Sequence, residues 1–155
     1  MNNNEKLIQK FYTSFANQDL ETMISFYHEK IQFQDPAFGI LKGNDARDMW
    51  KMLIERAKGE IKIEFSDIKA DKISGSAIWV ATYNFSQTNR KVINIIHAEF
   101  EFQDGLIIKH TDDFDIWKWS KQALGFAGLL LGWTSFMQRK IQEKALSSLR
   151  KFQEK

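Results

Sequence analysis

The sequence predicts an α+β domain in which three helices and one strand precede four further strands and a helical C-terminal extension. Two observations carry this reading: up to Ala57 most apolar residues recur at i, i+3, i+4 and i+7, and from Ile61 to Ile116 they alternate in twos. A third is that 155 residues with no repeat and no break in composition suit one domain spanning 1–155, with 117–155 as the extension. The order is α-α-β-α-β-β-β-β, with a curved antiparallel sheet wrapping the helices on its concave side.

Ile8, Phe11, Tyr12 and Phe15 mark one buried face of a first helix. Asn17-Gln18-Asp19 interrupts it, and Asp19 can cap a second helix whose stripe is Leu20, Met23, Ile24 and Tyr27. His28, at the end of that helix, reads as a surface residue or a C-terminal cap. The segment KIQFQD, 30–35, alternates with Ile31, Phe33 and Asp35 on one face, and the only proline, Pro36, ends it. AFGILKG reads as a loop. Asn44 or Asp45 can then cap a third helix with the stripe Ala46, Met49, Trp50, Leu53, Ile54 and Ala57, and Gly59 stops it.

Strands follow over 60–71 and 77–86, the second carrying Trp79, Ala81, Tyr83 and Phe85 in one phase. Gln87 to Lys91 reads as a polar turn. In the strand 92–102, Glu99 and Glu101 mark the wet face, which puts Asn94, Ile96, Ala98, Phe100 and Phe102 inside and His97 outside. Gln103-Asp104-Gly105 signals a hairpin. In the last strand, GLIIKHTDDFDI, His110 and Asp112 share parity with Leu106, Ile108, Phe114 and Ile116. From Trp117 the pattern is helical, with Ala145, Leu149 and Phe152 on one side and Lys140, Lys144 and Lys151 on the other.

A net charge of +2 with no basic cluster among the strands argues against a nucleic-acid partner. The absence of cysteine removes disulfides, thiolate nucleophiles and thiolate-bound zinc. MNNNEKLIQKF lacks the order of a signal peptide, so a cytoplasmic location is the expectation. The most apolar run, ALGFAGLLLGWTSFM, is too short for a membrane span and carries three glycines, so a docked helix is expected there. No phosphate loop, nucleophile elbow or metal-ligand spacing is present, and neither a metal nor a cofactor is expected.

Asp35, His110 and Asp112 are ionisable groups in apolar phase and are the candidate catalytic residues. A carboxylate facing a pocket rich in aromatics (13 Phe and 5 Trp in the chain) must be paired or used, and poor hydration raises its pKa toward the range of a neutral-pH acid or base. Tyr12, Tyr83 and Asn94 bring polar tips to apolar faces and, with the core-type residues Trp50 and Trp79, form the candidate substrate-binding set. Ile93 and Ile95 on the outer face of their strand point to a homodimer.

The order of elements, together with FYTSFANQDLETMISFYHEKIQFQDPAFG and DGLIIKHTDDFD, resembles the nuclear transport factor 2-like superfamily over roughly Asn3 to Trp117. That superfamily contains ketosteroid isomerases, SnoaL-like polyketide cyclases, epoxide hydrolases and noncatalytic binding domains. The resemblance implies a cone-shaped fold with a pocket between helices and sheet. It also implies that Asp35, followed by Pro36, matches a proton-shuttling carboxylate, that Tyr12 binds an enolate oxygen, and that Asp112 matches an acid of the cyclases. Ala98 stands near where the isomerases carry a second acid, and no arginine lies in phase on 77–86, which disfavours steroid isomerisation and epoxide hydrolysis. The expected function is cofactor-free proton transfer, as an isomerase or cyclase, on a small hydrophobic carbonyl compound. The alternative is a noncatalytic ligand-binding or protein-interaction domain.

Overall fold

The computed structural model describes residues 1–155. Its elements are α1 (Asn3–Ala16), α2 (Leu20–Ser25), β1 (Tyr27–Asp35), β2 (Gly39–Lys42), α3 (Asn44–Ala57), β3 (Lys62–Ala70), β4 (Ser74–Phe85), β5 (Arg90–Gln103), β6 (Leu106–Asp113), α4 (Ile116–Leu124), α5 (Phe126–Leu131) and α6 (Ser135–Gln153). Six strands form one sheet in the order β2-β1-β6-β5-β4-β3. All neighbours are antiparallel except β1 and β6, which run parallel. That one parallel pair brings the first and last long strands side by side, and it positions the site.

Local chemistry explains most boundaries. A capping box of Asn2 and Glu5 starts α1, and the Asp19 carboxylate accepts from Thr22 N–H to start α2. Asp104 and Gly105 both have positive φ, as the two-residue turn between right-twisted strands requires. Burial along β5 alternates without a break from Val92 to Glu101.

Four expectations are corrected. AFGILKG is not a loop throughout: Gly39–Lys42 turns back as β2 and pairs with Gln32–Asp35. Tyr27 and His28 leave the second helix and open β1, so His28 is neither a helix cap nor a surface residue but a nearly buried strand residue whose Nδ1 accepts from Lys30 N–H. The third helix begins at Asn44 behind Gly43 with no side-chain cap, because Asp45 turns to Arg150 and Gln153 of α6. In β6 the register slips between Glu101 and Phe102, which buries Ile107 in place of Ile108 and restores the expected phase by His110.

A core of 23 buried residues fills the space between α1, α3 and the concave sheet, with Phe11, Tyr12, Phe15, Phe33, Trp50, Trp79 and Phe100 in mutual ring contact. α6 belongs to this core, contributing fully buried Leu149 and clamping α3 through Arg150 to Asp45 at 2.9 and 3.2 Å. The helical tail consists of the three helices α4, α5 and α6. α4 lies along the part of β5 that β6 does not reach, where the Gln122 side chain accepts from Ile93 N–H at 2.7 Å and donates to Ile93 C=O at 3.1 Å.

Candidate functional site

Parallel pairing of β1 with β6 aligns Phe33 with His110 and Gln34 with Thr111, so the next step along the ladder sets Asp35 beside Asp112. Both point to the concave side, one strand apart, and their neighbour across β6 is the small Ala98. The structure thus brings together the two acids that alternation placed inside.

Each carboxylate commits one oxygen to two protein donors. Asp112 Oδ1 accepts from His110 Nε2–H at 2.8 Å and from Trp79 Nε1–H at 3.2 Å. Asp35 Oδ1 accepts from Ala37 N–H at 2.9 Å and from Phe38 N–H at 2.6 Å, a turn that the proline between them helps to form. The second oxygen of each acid makes no hydrogen bond within the protein, leaving two acceptors free on adjacent strands.

The hydrogen inventory assigns the proton on His110. Indole nitrogens can only donate, so Trp50 Nε1–H donates to the Tyr27 hydroxyl at 2.9 Å. With Nδ1 bare, the single Tyr27 O–H donates to its other partner, His110 Nδ1 at 2.7 Å, and every donor in the series has an acceptor. On the other side of the ring, Nε2–H lies on Asp112. The ring lies against Phe100, Phe33 and Phe11, with centroids 4.5, 5.2 and 5.6 Å away, and stacks on Trp50 at 6.1 Å. This chain of Trp50, Tyr27, His110, Asp112 and Trp79 fixes Asp112 in orientation.

Burial and exposure distinguish the two acids. Burial pushes Asp35 from 3.8 up to about 7, against the pull of Phe38 N–H; the negative charge on Asp112 adds to the rise and Ala37 N–H opposes it. By accessible surface Asp35 is half-buried rather than sealed, whereas Asp112 is 4% exposed. Asp35 is thus the more exposed of the two acids. Burial first, and the Asp112 charge second, raise Tyr12 and Tyr27 well above the ordinary phenol range, so both stay protonated. Tyr12 Oη is the one fully buried side-chain polar atom without a partner.

The remaining candidates divide between the site and its support. Tyr83 is half-buried, its oxygen accepting from Trp119 Nε1–H at 2.8 Å; burial raises it, Trp119 opposes and the Asp35 charge adds. Asn94 is 8% exposed and its amide has no protein partner. Trp50 and Trp79 stand behind the acids, holding Tyr27 and Asp112. Sequence reasoning missed Tyr27 and Trp119. Tyr27 lies in two-residue phase with Ile31, Phe33 and Asp35, a signal masked by its equal fit to the helical stripe of α2.

A family model described as the SnoaL-like domain matches residues 8–110. The chain belongs to that family. Its strands and helices are those of the nuclear transport factor 2-like fold, as the solved structures bear out. Bal32a, from a soil-derived mobile gene cassette, superposes with a TM-score of 0.67 at 19% identity, covering 77% of this chain and 95% of that one. A putative polyketide cyclase from Xanthomonas campestris pv. campestris gives 0.61 at 19%, covering 76% and 93%. An epoxide hydrolase of M. tuberculosis, described as LEH-like, gives 0.62 at 19%, covering 83% and 95%. At such identities the likeness is one of fold. Among curated proteins no sequence matches. Within this SnoaL-like chain, the family match takes in Asp35 and His110, and α4 to α6 lie beyond it.

Two outcomes follow from this geometry. Tyr27→Phe strips His110 Nδ1 and Trp50 Nε1 of their partner and is expected to lower unfolding stability by about 2–4 kcal/mol in urea titrations, since each orphaned buried group costs roughly 1–3 kcal/mol. Asp35 binds its proton more tightly when folded, so its stabilisation is complete below about pH 4 and is lost as pH rises through about 7. Asp35→Asn, which keeps the acceptor oxygen, is expected to flatten that fall, by at most about 4 kcal/mol, in the difference between the two pH–stability curves.

Proposed function

We propose that this SnoaL-like protein catalyses cofactor-free proton transfer on a small, mostly apolar carbonyl compound, as an isomerase or cyclase. The observation that carries the reading is the unequal acid pair: Asp112 fixed by His110 and Trp79, and beside it Asp35, half-buried with a free oxygen and a pKa of about 7. A reachable acid beside an anchored one divides the roles of proton carrier and positioned partner. Asp35 Oδ2 takes a proton from the carbon next to the carbonyl and returns it to another carbon, so no external acid or base is consumed. The developing enolate oxygen is met by the amide of Asn94 or the hydroxyl of Tyr83, and by Tyr12 where a ligand displaces the Phe65 ring stacked on it at 5.7 Å. His110 touches no substrate; it positions Asp112.

One observation favours a second reading, that of a noncatalytic binding domain. Aromatic rings fill much of the cone, and two grooves of about 550 and 440 Å³ lie outside it, one over the convex face at Glu99, Glu101, Lys109 and Thr111, the other beside Arg90, Lys91 and Lys121. A small ligand at the Asp35 end of the cone is compatible with either reading.

A panel of cyclic and aryl ketones with acidic α-hydrogens, incubated in buffered heavy water and followed by proton NMR, decides between them. Proton transfer predicts faster loss of an α-hydrogen signal than buffer gives, with kcat/KM rising through about pH 7 and falling about 10²–10⁴-fold in Asp35→Asn. No acceleration anywhere in the panel, alongside ligand-induced thermal stabilisation, would leave the binding reading standing. Exposed Ile93 and Ile95 on the convex face further support a homodimer. Light scattering at micromolar concentration is expected to give twice the mass of 18.2 kDa, and a monomer mass removes that proposal.

A further inference from the structure

The α4–α5 hairpin is packed inside out. Gly128 is buried against the Ser120 carbonyl so closely that a Cβ would overlap it, and Gly132 lies against the same serine. With its small residues turned to the protein, α5 presents its large ones to solvent: Phe126 is 73% exposed, Leu130 52%, and the adjoining Trp133 64%. Leu129, Leu131 and Phe136 continue the patch. A helix facing only water would carry the opposite arrangement.

The charge around this face is of one sign. From Ile116 to Gln142 the chain has no Asp or Glu, yet it carries Lys118, Lys121, Arg139 and Lys140. Lys121 and Lys140 lie over the rings of Trp117 and Phe136 at 4.2 and 5.3 Å, so the cations border the apolar surface directly. Arg90 sits against Gly125 at the α4–α5 turn, and a groove of about 440 Å³ between Arg90, Lys91, Lys121 and Gln122 contains no carboxylate. A second copy docked face to face would set these cations against their own kind. An anionic bilayer instead offers acyl chains to the leucines and phenylalanines, a headgroup boundary to the exposed tryptophans, and phosphates to the lysines and arginines.

We propose that the α4–α5 hairpin and the start of α6 bind the surface of anionic phospholipid bilayers, lying in the interface. No helix is long and apolar enough to cross a membrane, so the binding is peripheral. The concave acids are untouched by it, and the two proposals stand or fall separately.

Flotation of the full chain with 100 nm vesicles tests it. Binding is expected to phosphatidylcholine vesicles containing about a third phosphatidylglycerol, at least tenfold stronger than to phosphatidylcholine alone and weakened severalfold by 0.5 M salt. Leu130→Ser/Trp133→Ser and, separately, Lys91→Glu/Lys121→Glu are each expected to reduce it more than tenfold with unchanged circular dichroism. All four side chains lie outside the main core, so these variants are expected to fold. Failure of the native chain to float with anionic vesicles overturns the proposal whatever the variants do. So does equal binding by both variants, or a dimer mass that falls to a monomer in Leu130→Ser/Trp133→Ser.

Discussion

A carboxylate inside an aromatic core is the constraint around which this molecule is arranged. Asp112 has given up nearly all of its hydration, and a charge in that position survives only where donors replace the lost water. The Trp79 indole and the His110 imidazole do so directly, and Tyr27 and Trp50 hold that imidazole from behind, so the network draws on α3, β1, β4 and β6. The same network therefore ties one helix to three strands. Stability and site geometry rest on the same atoms, so the network cannot be trimmed without loosening the cone.

The parallel contact between β1 and β6 joins the two ends of this arrangement. It sets a second acid one strand away from the first, close enough to feel its charge yet nearer the open end and held by backbone donors alone. Two residues of one type thus acquire different characters from their surroundings. The deeper acid is held in one direction by its donors, and burial raises the pKa of the shallower one. Beyond them, Ala98, Ala81 and Ala77 contribute little bulk to the concave face.

Much of this was legible in the sequence because period-two alternation survives wherever one face of a strand is buried. β5 reads cleanly from Val92 onward, and the phase of Phe33 and Asp35, and of His110 and Asp112, is that of the folded chain. Failures cluster where two periods coincide or the phase slips. Tyr27 fits the stripe of α2 as well as the face of β1. Four residues are too few for β2 to show a period at all. The direction of strand pairing leaves no trace in a strand's own alternation, so nothing local announced that β1 and β6 run the same way. Partners such as Trp119 and Tyr83 lie 36 positions apart and meet only through the packing of α4.

The bond pattern between Gln122 and Ile93 has a consequence of its own. β5 outruns β6, and over that stretch its edge away from β4 faces no neighbouring strand. An unguarded ribbon of this kind, with isoleucines on its flank, is a template on which another chain can add itself. A glutamine amide offers the same donor and acceptor as a peptide group but cannot propagate the ladder, so α4 terminates the sheet as a counterfeit strand. Shortening the chain before α4 would reopen that border and turn a discrete domain into one prone to growing edge to edge.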